Sequence, residues 1–238
     1  KGRLGYSMTP RFAPTSTREQ LAMAGRLFNE IPGLHLQSHL AENVDEIKWV
    51  DGLFPDRRSY LDVYDHFGLL GTRAIYGHCI HTDGIDRARM AETQTAIAFC
   101  PSSNLFIGSG LFDLDQAKAV GIRVGLASDV GGGTSLSMLQ VMADAYKVLQ
   151  LKGQHLNPWR AFYLATLGGA EALSLDDHIG NFVAGKEADF TVLDFNTIPI
   201  LKHRSEVARD FAERLFALMI LGDDRAVAAT YVLGERAF

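Results

Sequence analysis

Apolar runs alternate with amphipathic stretches over the first two-thirds of the chain. The apolar runs have the length of buried strands, and the stretches between them carry apolar residues at helical spacing. This alternation is typical of parallel α/β units, in which each strand is followed by a helix. The predicted strands are residues 4–7, 34–38, 74–77, 96–100 and 124–127.

Helix signals fall between these strands. Residues 15–20 predict a capped helix start, and Pro32-Gly33 predicts its end. Asn157-Pro158 predicts a further start, because it combines a cap residue with a first-turn proline. Other helices are predicted around residues 44–53, 85–92 and 113–120.

The pattern changes near Gly180. Residues 181–194 predict two short strands around Gly185, and residues 227–238 predict a second pair that turns at Gly234. A helix is predicted between them, over residues 205–221. We therefore expect two parts, an α/β part over residues 1–179 and a small β-rich part over residues 180–238.

Composition narrows the class of protein. The 238 residues are 47% apolar and 21% charged, with a formal net charge of −5, which is typical of a globular domain. No cluster of Lys and Arg predicts a nucleic-acid surface, and no apolar run reaches the roughly 20 residues that span a bilayer. Two cysteines are too few for a disulfide framework, so we expect a cytoplasmic protein.

Metal-capable side chains follow three of the predicted strands. His39 comes after strand 34–38, His78 after strand 74–77, and Asp129 shortly after strand 124–127. Because the carboxyl ends of parallel strands meet at one rim of a barrel, we expect these side chains to lie close together. A single histidine there is more often structural, but three such positions in succession favour a metal site.

Glu42 is a second candidate, because it lies three residues past His39, within reach of a metal-bound water. A carboxylate there could carry protons as a general acid and base.

The Gly131-Gly132-Gly133 stretch lacks the spacing and lysine of a phosphate loop, and we expect it to let backbone pass close to the site. We expect the other polar candidates to lie outside the site, the histidines as structural or surface residues and the cysteines as inert packing: His35, His66, His81, His155, His178, His203, Cys79 and Cys100.

Several segments resemble the guanine deaminases, a family of the amidohydrolase superfamily. The resemblance extends from about Arg11 to Phe238, nearly the whole chain. The segments that carry it are Arg11-Phe12-Ala13-Pro14-Thr15, His39-Leu40-Ala41-Glu42-Asn43, Tyr76-Gly77-His78-Cys79, Cys100-Pro101-Ser102-Ser103-Asn104-Leu105, Ser128-Asp129-Val130-Gly131-Gly132-Gly133, Leu164-Ala165-Thr166-Leu167-Gly168-Gly169-Ala170 and Ile179-Gly180-Asn181-Phe182.

The resemblance implies a zinc enzyme that hydrolyses guanine to xanthine and ammonia. His39 and Asp129 resemble zinc ligands, Glu42 resembles the proton shuttle, and His78 resembles the histidine that steadies the attacking hydroxide. Arg11 and Phe12 resemble the pair that recognises the purine, with His39 and Glu42 also touching the substrate. An arginine fork suits the adjacent O6 and N7 acceptors of guanine. The family further implies a homodimer.

One departure from the family pattern concerns the zinc ligands. The family carries a His-x-His pair at its first barrel strand, and this sequence contains none. The chain also holds only four to five strand–helix units, whereas a closed (β/α)8 barrel needs eight. We therefore expect the C-terminal part of a TIM-type barrel, from about strand four to strand eight, plus part of a small β-rich sandwich domain.

Three other classes compete with this interpretation. A related deaminase or chlorohydrolase acting on a different heterocycle would share the metal site, and Arg11-Phe12 is the feature that discriminates. A non-catalytic interaction fragment would explain the missing ligand pair, although Glu42 and Asp129 argue against it. A cytidine-deaminase type of zinc site needs a Pro-Cys-x-x-Cys run, and Pro101 has no such partner cysteines.

Overall fold

A five-stranded parallel sheet forms the centre of the molecule. The computed structural model describes residues 2–238, so Lys1, the first residue of the predicted α/β part, lies outside the described residues. The strands lie side by side in chain order, which confirms the predicted parallel α/β fold. They are β1 (Ser7–Met8), β2 (His35–Leu40), β3 (Ala74–His78), β4 (Ala96–Phe99) and β5 (Val124–Leu126).

Helices connect these strands and continue after them. The predicted start at residues 15–20 is confirmed, since the Thr17 side chain accepts a hydrogen bond from the Gln20 backbone N–H. Asn43 begins the next helix in a capping box with Glu46. The helices are α1 (Arg18–Glu30), α2 (Val44–Leu53), α3 (Tyr60–His66), α4 (Gly84–Glu92), α5 (Pro101–Phe106), α6 (Leu114–Ala119), α7 (Met138–Leu151), α8 (Pro158–Ala165), α9 (Leu167–Ala172), α10 (Pro199–Glu206) and α11 (Phe211–Leu221).

The core lies between the sheet and its helices. Leu36, Tyr76 and Phe99 belong to neighbouring strands and are fully buried. Each such side chain contributes about 1.5–3 kcal/mol by leaving water. The strands are therefore held firmly, and the segments at their carboxyl ends stand on a rigid base. Within the described residues, no helix has both the length and the apolarity to cross a membrane.

A separate antiparallel sheet forms in the last third of the chain. It consists of β6 (Phe190–Leu193), β7 (Val227–Val232) and β8 (Glu235–Arg236). The rings of Phe190 and Tyr231 stack across it with centroids 4.5 Å apart. The predicted pair that turns at Gly234 is confirmed, because β7 and β8 form that hairpin.

Three predictions about element bounds are wrong. The first strand is Ser7–Met8 rather than residues 4–7, and Leu4 is 99% exposed. Residues 181–194 form one strand rather than two, since Gly180 and Gly185 adopt φ values of +103° and +97° that bend the chain before β6. The helix predicted over residues 205–221 is two helices, because Asp210 starts α11 as a new N-cap.

Helices α3, α5 and α7 are absent from the sequence predictions. Helix α7 does carry an amphipathic pattern, with seven buried residues on one side and Gln140, Lys147 and Gln150 exposed on the other, so its absence from the predictions is a missed sequence signal. Helices α3 and α5 have seven and six residues, which is too short for a helical period to emerge.

Candidate metal and catalytic site

Three side chains converge at the carboxyl edge of the parallel sheet. His39 lies near the end of β2, His78 ends β3, and Asp129 follows β5. Each offers one ligand atom, and these atoms all lie within 4.8 Å of one another. The structure thus brings together the three residues that the sequence places at strand ends. It also adds His78 to the possible ligands, whereas the resemblance gave that residue a catalytic role only.

Both histidines are held by hydrogen bonds from the same ring atom. Nδ1 of His39 lies 2.7 Å from the backbone oxygen of Arg11, and Nδ1 of His78 lies 2.9 Å from Oδ1 of Asn104. Because these oxygens can only accept, each Nδ1 carries the proton and each Nε2 keeps a free lone pair. Two imidazole nitrogens and one carboxylate form a donor set that suits zinc. The residues present therefore fit a metal ion.

Two carboxylates flank the Nε2 atom of His78. Oε2 of Glu42 lies 3.5 Å from it and Oδ2 of Asp129 lies 3.8 Å from it. The other oxygen of Glu42, Oε1, accepts a hydrogen bond of 2.9 Å from the Ser109 hydroxyl. The predicted proton carrier and the predicted metal ligands thus lie around one small space.

The backbone around the site is strained. Ala41, His78, Cys79 and Asp129 all have positive φ, between 46° and 69°, although none is glycine. Such conformations are uncommon and persist only where the surrounding structure holds them, often at functional sites. Here the surrounding structure is the buried sheet, and the strained residues lie at or just beyond the ends of its strands.

The glycine stretch after Asp129 packs close to the site, as predicted. A Cβ atom on Gly133 would lie 1.7 Å from the Ser128 backbone oxygen. A Cβ atom on Gly132 would lie 2.6 Å from Oγ of Ser103 and 3.2 Å from Oδ2 of Asp129. Gly133 therefore requires glycine, because a side chain there would collide with the backbone, whereas a side chain on Gly132 would force the side chains of Ser103 and Asp129 to shift.

Arg11 and Phe12 lie beside the cluster and make different contacts. The Phe12 ring packs edge-on against His39 at 6.0 Å and against Trp49 at 6.1 Å between ring centroids. The Arg11 guanidinium lies over the Phe12 ring, with Cζ 5.4 Å from its centroid. An adjoining pocket of about 300 Å³ is lined by Phe12, Glu42, Asn43, Asp45, Glu46, Trp49, Ile107 and Ser109. Arg11 is not part of that lining.

The Tyr64 hydroxyl ties the Arg11–Phe12 segment to β2. It accepts from the Ala13 backbone N–H at 3.0 Å, donates to the His39 backbone oxygen at 2.9 Å and lies 3.1 Å from Oγ of Ser38. Burial raises the pKa of Tyr64 to about 12, so the hydroxyl stays protonated at neutral pH. The segment that carries Arg11 and Phe12 and the first metal-capable histidine are therefore held by one buried group.

The residues expected to lie outside the site do so, except that His81 contacts Ser109 at its edge. The His35 ring bonds to the Leu173 backbone oxygen and the His81 ring to the Ser109 backbone oxygen, each at 3.0 Å. Both cysteines are buried, and burial raises the pKa of Cys79 well above its ordinary value and that of Cys100 to about 12, which disfavours the thiolate form. The four remaining histidines are exposed, as expected of surface residues: His66, His155, His178 and His203.

Three residues of the site have no role in the sequence predictions. Asn104 orients His78, Ser109 contacts Glu42, and Trp49 forms a wall of the pocket. Asn104 lies in one of the segments that resemble the guanine deaminases, but nothing in that segment indicates that it bonds His78. Ser109 and Trp49 give no sequence signal, since only the fold brings them to Glu42 and Phe12.

Comparison with known proteins assigns the chain to a family. Residues 1–237 match the model of the amidohydrolase family, and the chain belongs to that family. Among curated proteins it is similar to the guanine deaminase of Escherichia coli K12, with 51% identity over 234 residues. The match covers 98% of this chain and 53% of that protein.

Solved structures give the same picture. The fold matches Escherichia coli guanine deaminase with a TM-score of 0.98 and 50% identity, over 100% of this chain and 56% of that one. It matches guanine deaminase from Clostridium acetobutylicum, which has guanine bound in its active site, with a TM-score of 0.87 and 33% identity, over 96% and 54% of the two chains. The chain thus spans about half the length of the relatives it matches.

Proposed function

We propose that this chain supplies the C-terminal part of a zinc-dependent guanine deaminase, an enzyme that hydrolyses guanine to xanthine and ammonia. The observation that carries the proposal is the position of Glu42, 3.5 Å from Nε2 of His78 and beside the cluster of His39, His78 and Asp129. A proton-carrying carboxylate next to a metal site is what hydrolytic deamination needs. The 51% identity to a guanine deaminase supports the choice of substrate.

The metal would be held by His39 and Asp129 on this chain. Their donor atoms lie within 4.8 Å of each other, and Nε2 of His39 is free because Nδ1 bonds the Arg11 backbone oxygen. A zinc ion bound there would activate water as the nucleophile. A catalytic zinc site usually has three protein ligands, so further ligands would come from a His-x-His pair outside this chain.

The carboxylates divide the proton transfers between them. Asp129 would accept the proton of the attacking water, while Glu42 would protonate a ring nitrogen of guanine. Water would add to carbon 2, and Asp129 would pass its proton to the amino group, so that the carbon–nitrogen bond breaks and ammonia leaves. The second proton of the water would return to Glu42 as the new carbonyl of xanthine forms. His78 lies between the two acids and would steady the reacting oxygen through Nε2, which Asn104 leaves unprotonated.

Recognition of the purine would fall to Arg11 and Phe12. The Phe12 ring lines the pocket and offers a surface for stacking on a planar base. The Arg11 fork suits the adjacent O6 and N7 acceptors of guanine, whereas adenine presents a donor in place of O6. Because the guanidinium lies over Phe12, it would leave that ring to contact the base. His39 and Glu42 would complete the contacts to substrate.

The architecture belongs to the same proposal. Residues 1–179 would form about strands four to eight of a (β/α)8 barrel, and residues 180–238 part of a β-rich sandwich domain. Five parallel strands in chain order support the barrel, and β1 and β5 each have a partner on one side only. The remaining strands and the His-x-His pair would come from a segment that precedes residue 1. Below, the complete protein means this chain joined to that segment.

The test compares this chain alone with the complete protein, for which the preceding segment can be taken from the Escherichia coli relative. The complete protein should hold zinc and form xanthine from guanine, whereas the chain alone should bind zinc weakly and be inactive. A substrate panel of adenine, cytosine and chlorinated triazines separates the proposal from a related deaminase or chlorohydrolase. Turnover of one of these rings but not of guanine would overturn the substrate assignment. Size-exclusion chromatography would test the homodimer that the resemblance implies.

A further inference from the structure

Ser109 connects the loop after α5 to the proposed proton carrier. Its hydroxyl donates a hydrogen bond of 2.9 Å to Oε1 of Glu42 across 67 residues of sequence. Building on the proposed function, we propose that Ser109 is a positioning residue, which holds the Glu42 carboxylate so that its other oxygen faces the reacting atoms.

Ser109 is itself held in place by its backbone. Its N–H donates to the Asn104 backbone oxygen at 2.9 Å, and its backbone oxygen accepts from Nε2 of His81 at 3.0 Å. The residue is only 6% exposed. The hydroxyl is therefore attached to a fixed backbone, as a group that orients another side chain must be.

Ser109 is also linked, through His81, to Ala41, the residue before Glu42. The backbone N–H of His81 donates to the Ala41 backbone oxygen at 3.1 Å, while the His81 ring binds Ser109. Ala41, His81, Ser109 and Glu42 thus form a closed ring of contacts. This ring joins the end of β2, the turn after β3 and the loop after α5, so all three segments fix one carboxylate.

The backbone of Glu42 is held from the other side. Its N–H donates to Oε2 of Glu46 at 3.2 Å, the same oxygen that accepts from the Asn43 N–H in the capping box of α2. With the backbone fixed there, the freedom that remains is rotation of the Glu42 side chain. The Ser109 bond removes that freedom, and Oε2 is left 3.5 Å from Nε2 of His78.

A hydroxyl suits a carboxyl group that gains and loses a proton. It can donate to the carboxylate and, by rotating, accept from the protonated acid. Ser109 can therefore keep its contact through both halves of a proton transfer. An amide or ammonium donor would stabilise the charged form only, and would oppose the step in which Glu42 takes up a proton.

The test is a double-mutant cycle in the zinc-loaded complete protein. Ser109→Ala should lower kcat on guanine by about 10-fold, the size of one hydrogen bond to a charged group, with KM within about 2-fold of wild type and zinc content unchanged. In the Glu42→Gln background the same change should have almost no further effect, because the group it orients is already disabled. Ser109→Thr, which keeps the hydroxyl, should recover much of the rate.

Ser102→Ala is the matched control. Ser102 is 3% exposed at the other end of α5, and its hydroxyl donates to Oδ2 of Asp144 at 2.7 Å, away from Glu42. This variant should lose stability at most and keep kcat. Equal losses from Ser109→Ala with and without Glu42 would mean a structural role and overturn the proposal. A wild-type kcat in Ser109→Ala would also overturn it and leave the proposed function standing. If the complete protein turns over another ring instead of guanine, the double-mutant cycle is measured with that ring as the substrate. Absence of turnover on every ring would overturn both the proposed function and the role of Ser109.

Discussion

Asn104 fixes the orientation of His78. Its Oδ1 accepts from Nδ1 of the imidazole at 2.9 Å, and both side chains are 1% exposed. This bond selects the tautomer in which Nε2 faces Glu42 and Asp129. Asn104 thus decides which ring atom of His78 faces the two carboxylates.

Asn104→Ala should therefore weaken both stability and turnover. Loss of the acceptor leaves a buried Nδ1–H unpaired, which should lower the free energy of unfolding by about 1–3 kcal/mol. Turnover by the complete protein should fall about 10- to 100-fold, as is typical when a residue that orients a metal-site histidine is lost. Urea unfolding and steady-state kinetics measure the two effects. Asn104→Asp keeps the acceptor, so an activity no better than that of Asn104→Ala would contradict this role.

Glu42→Gln should abolish most of the activity without removing the metal. The amide keeps the size of the side chain but cannot carry a proton, so turnover of the complete protein should fall by about 10² or more. Zinc content, measured by atomic absorption, should equal that of wild type. Asp51→Asn is the control, because this exposed acid also lies on the α2 side of the sheet edge. Near-normal turnover in Glu42→Gln would remove Glu42 from the mechanism.

Arg11→Met should affect guanine more than rings without an acceptor at position 6. The barrier for guanine should rise by about 1–3 kcal/mol, the size of one bidentate contact to a base. The value of kcat/KM for 2-aminopurine should change less. Arg18→Met removes a nearby arginine that pairs with Asp56, and both substrates should be unaffected. Equal losses on both rings in Arg11→Met would make that arginine structural.

Gly132→Ala should impair the site through Asp129. The added methyl would lie 3.2 Å from Oδ2 of Asp129 and 2.6 Å from Oγ of Ser103, so we expect the two side chains to shift. Zinc affinity of the complete protein, measured by competition with a chelator, should fall at least 10-fold, the lower end of the effect of disturbing residues around a metal site. Gly52→Ala on α2 adds a methyl that meets nothing within 4 Å and should leave affinity unchanged. Normal zinc affinity in Gly132→Ala would show that the loop yields without moving the carboxylate.

Stability should fall steeply in alkaline solution, partly through Tyr64. Burial raises its pKa to about 12, so between pH 10 and 12 the folded protein binds a proton that the unfolded chain releases. The contribution is fully present below pH 10 and is lost as the pH rises through 12. Tyr64→Phe should be less stable at neutral pH, because it loses the bonds to Ala13 and His39, but its stability should fall less steeply above pH 10. Equal slopes in urea unfolding would exclude this role.

The sequence identifies the residues that lie at strand ends or just after them, and misses those that a more distant loop or a helix brings to the site. An apolar run predicts a strand, and in a parallel sheet the carboxyl ends of all strands lie at one edge. His39, His78 and Asp129 can therefore be found from their positions after the predicted strands. Ser109 and Trp49 carry no such mark, since their relation to the site depends on how a loop and a helix pack.

Element ends were less predictable than element types, for a physical reason. The break between α10 and α11 arises because Asp210 accepts from the Glu213 backbone N–H, a local choice within a stretch whose apolar pattern continues. The deciding contact is thus a single side chain, which the apolar pattern of the stretch does not record.

Because Arg11 lies over the Phe12 ring, a base that stacks on that face would have to take the place of the guanidinium. Before a base can stack on that face of Phe12, it must displace a cation that already occupies it, 5.4 Å from the ring centroid. A base that offers the displaced guanidinium two acceptors compensates for the lost cation–π contact, whereas a base without them does not. In the proposed enzyme this exchange would discriminate between bases before any chemistry begins, because every flat ring would compete with Arg11 for the same surface of Phe12.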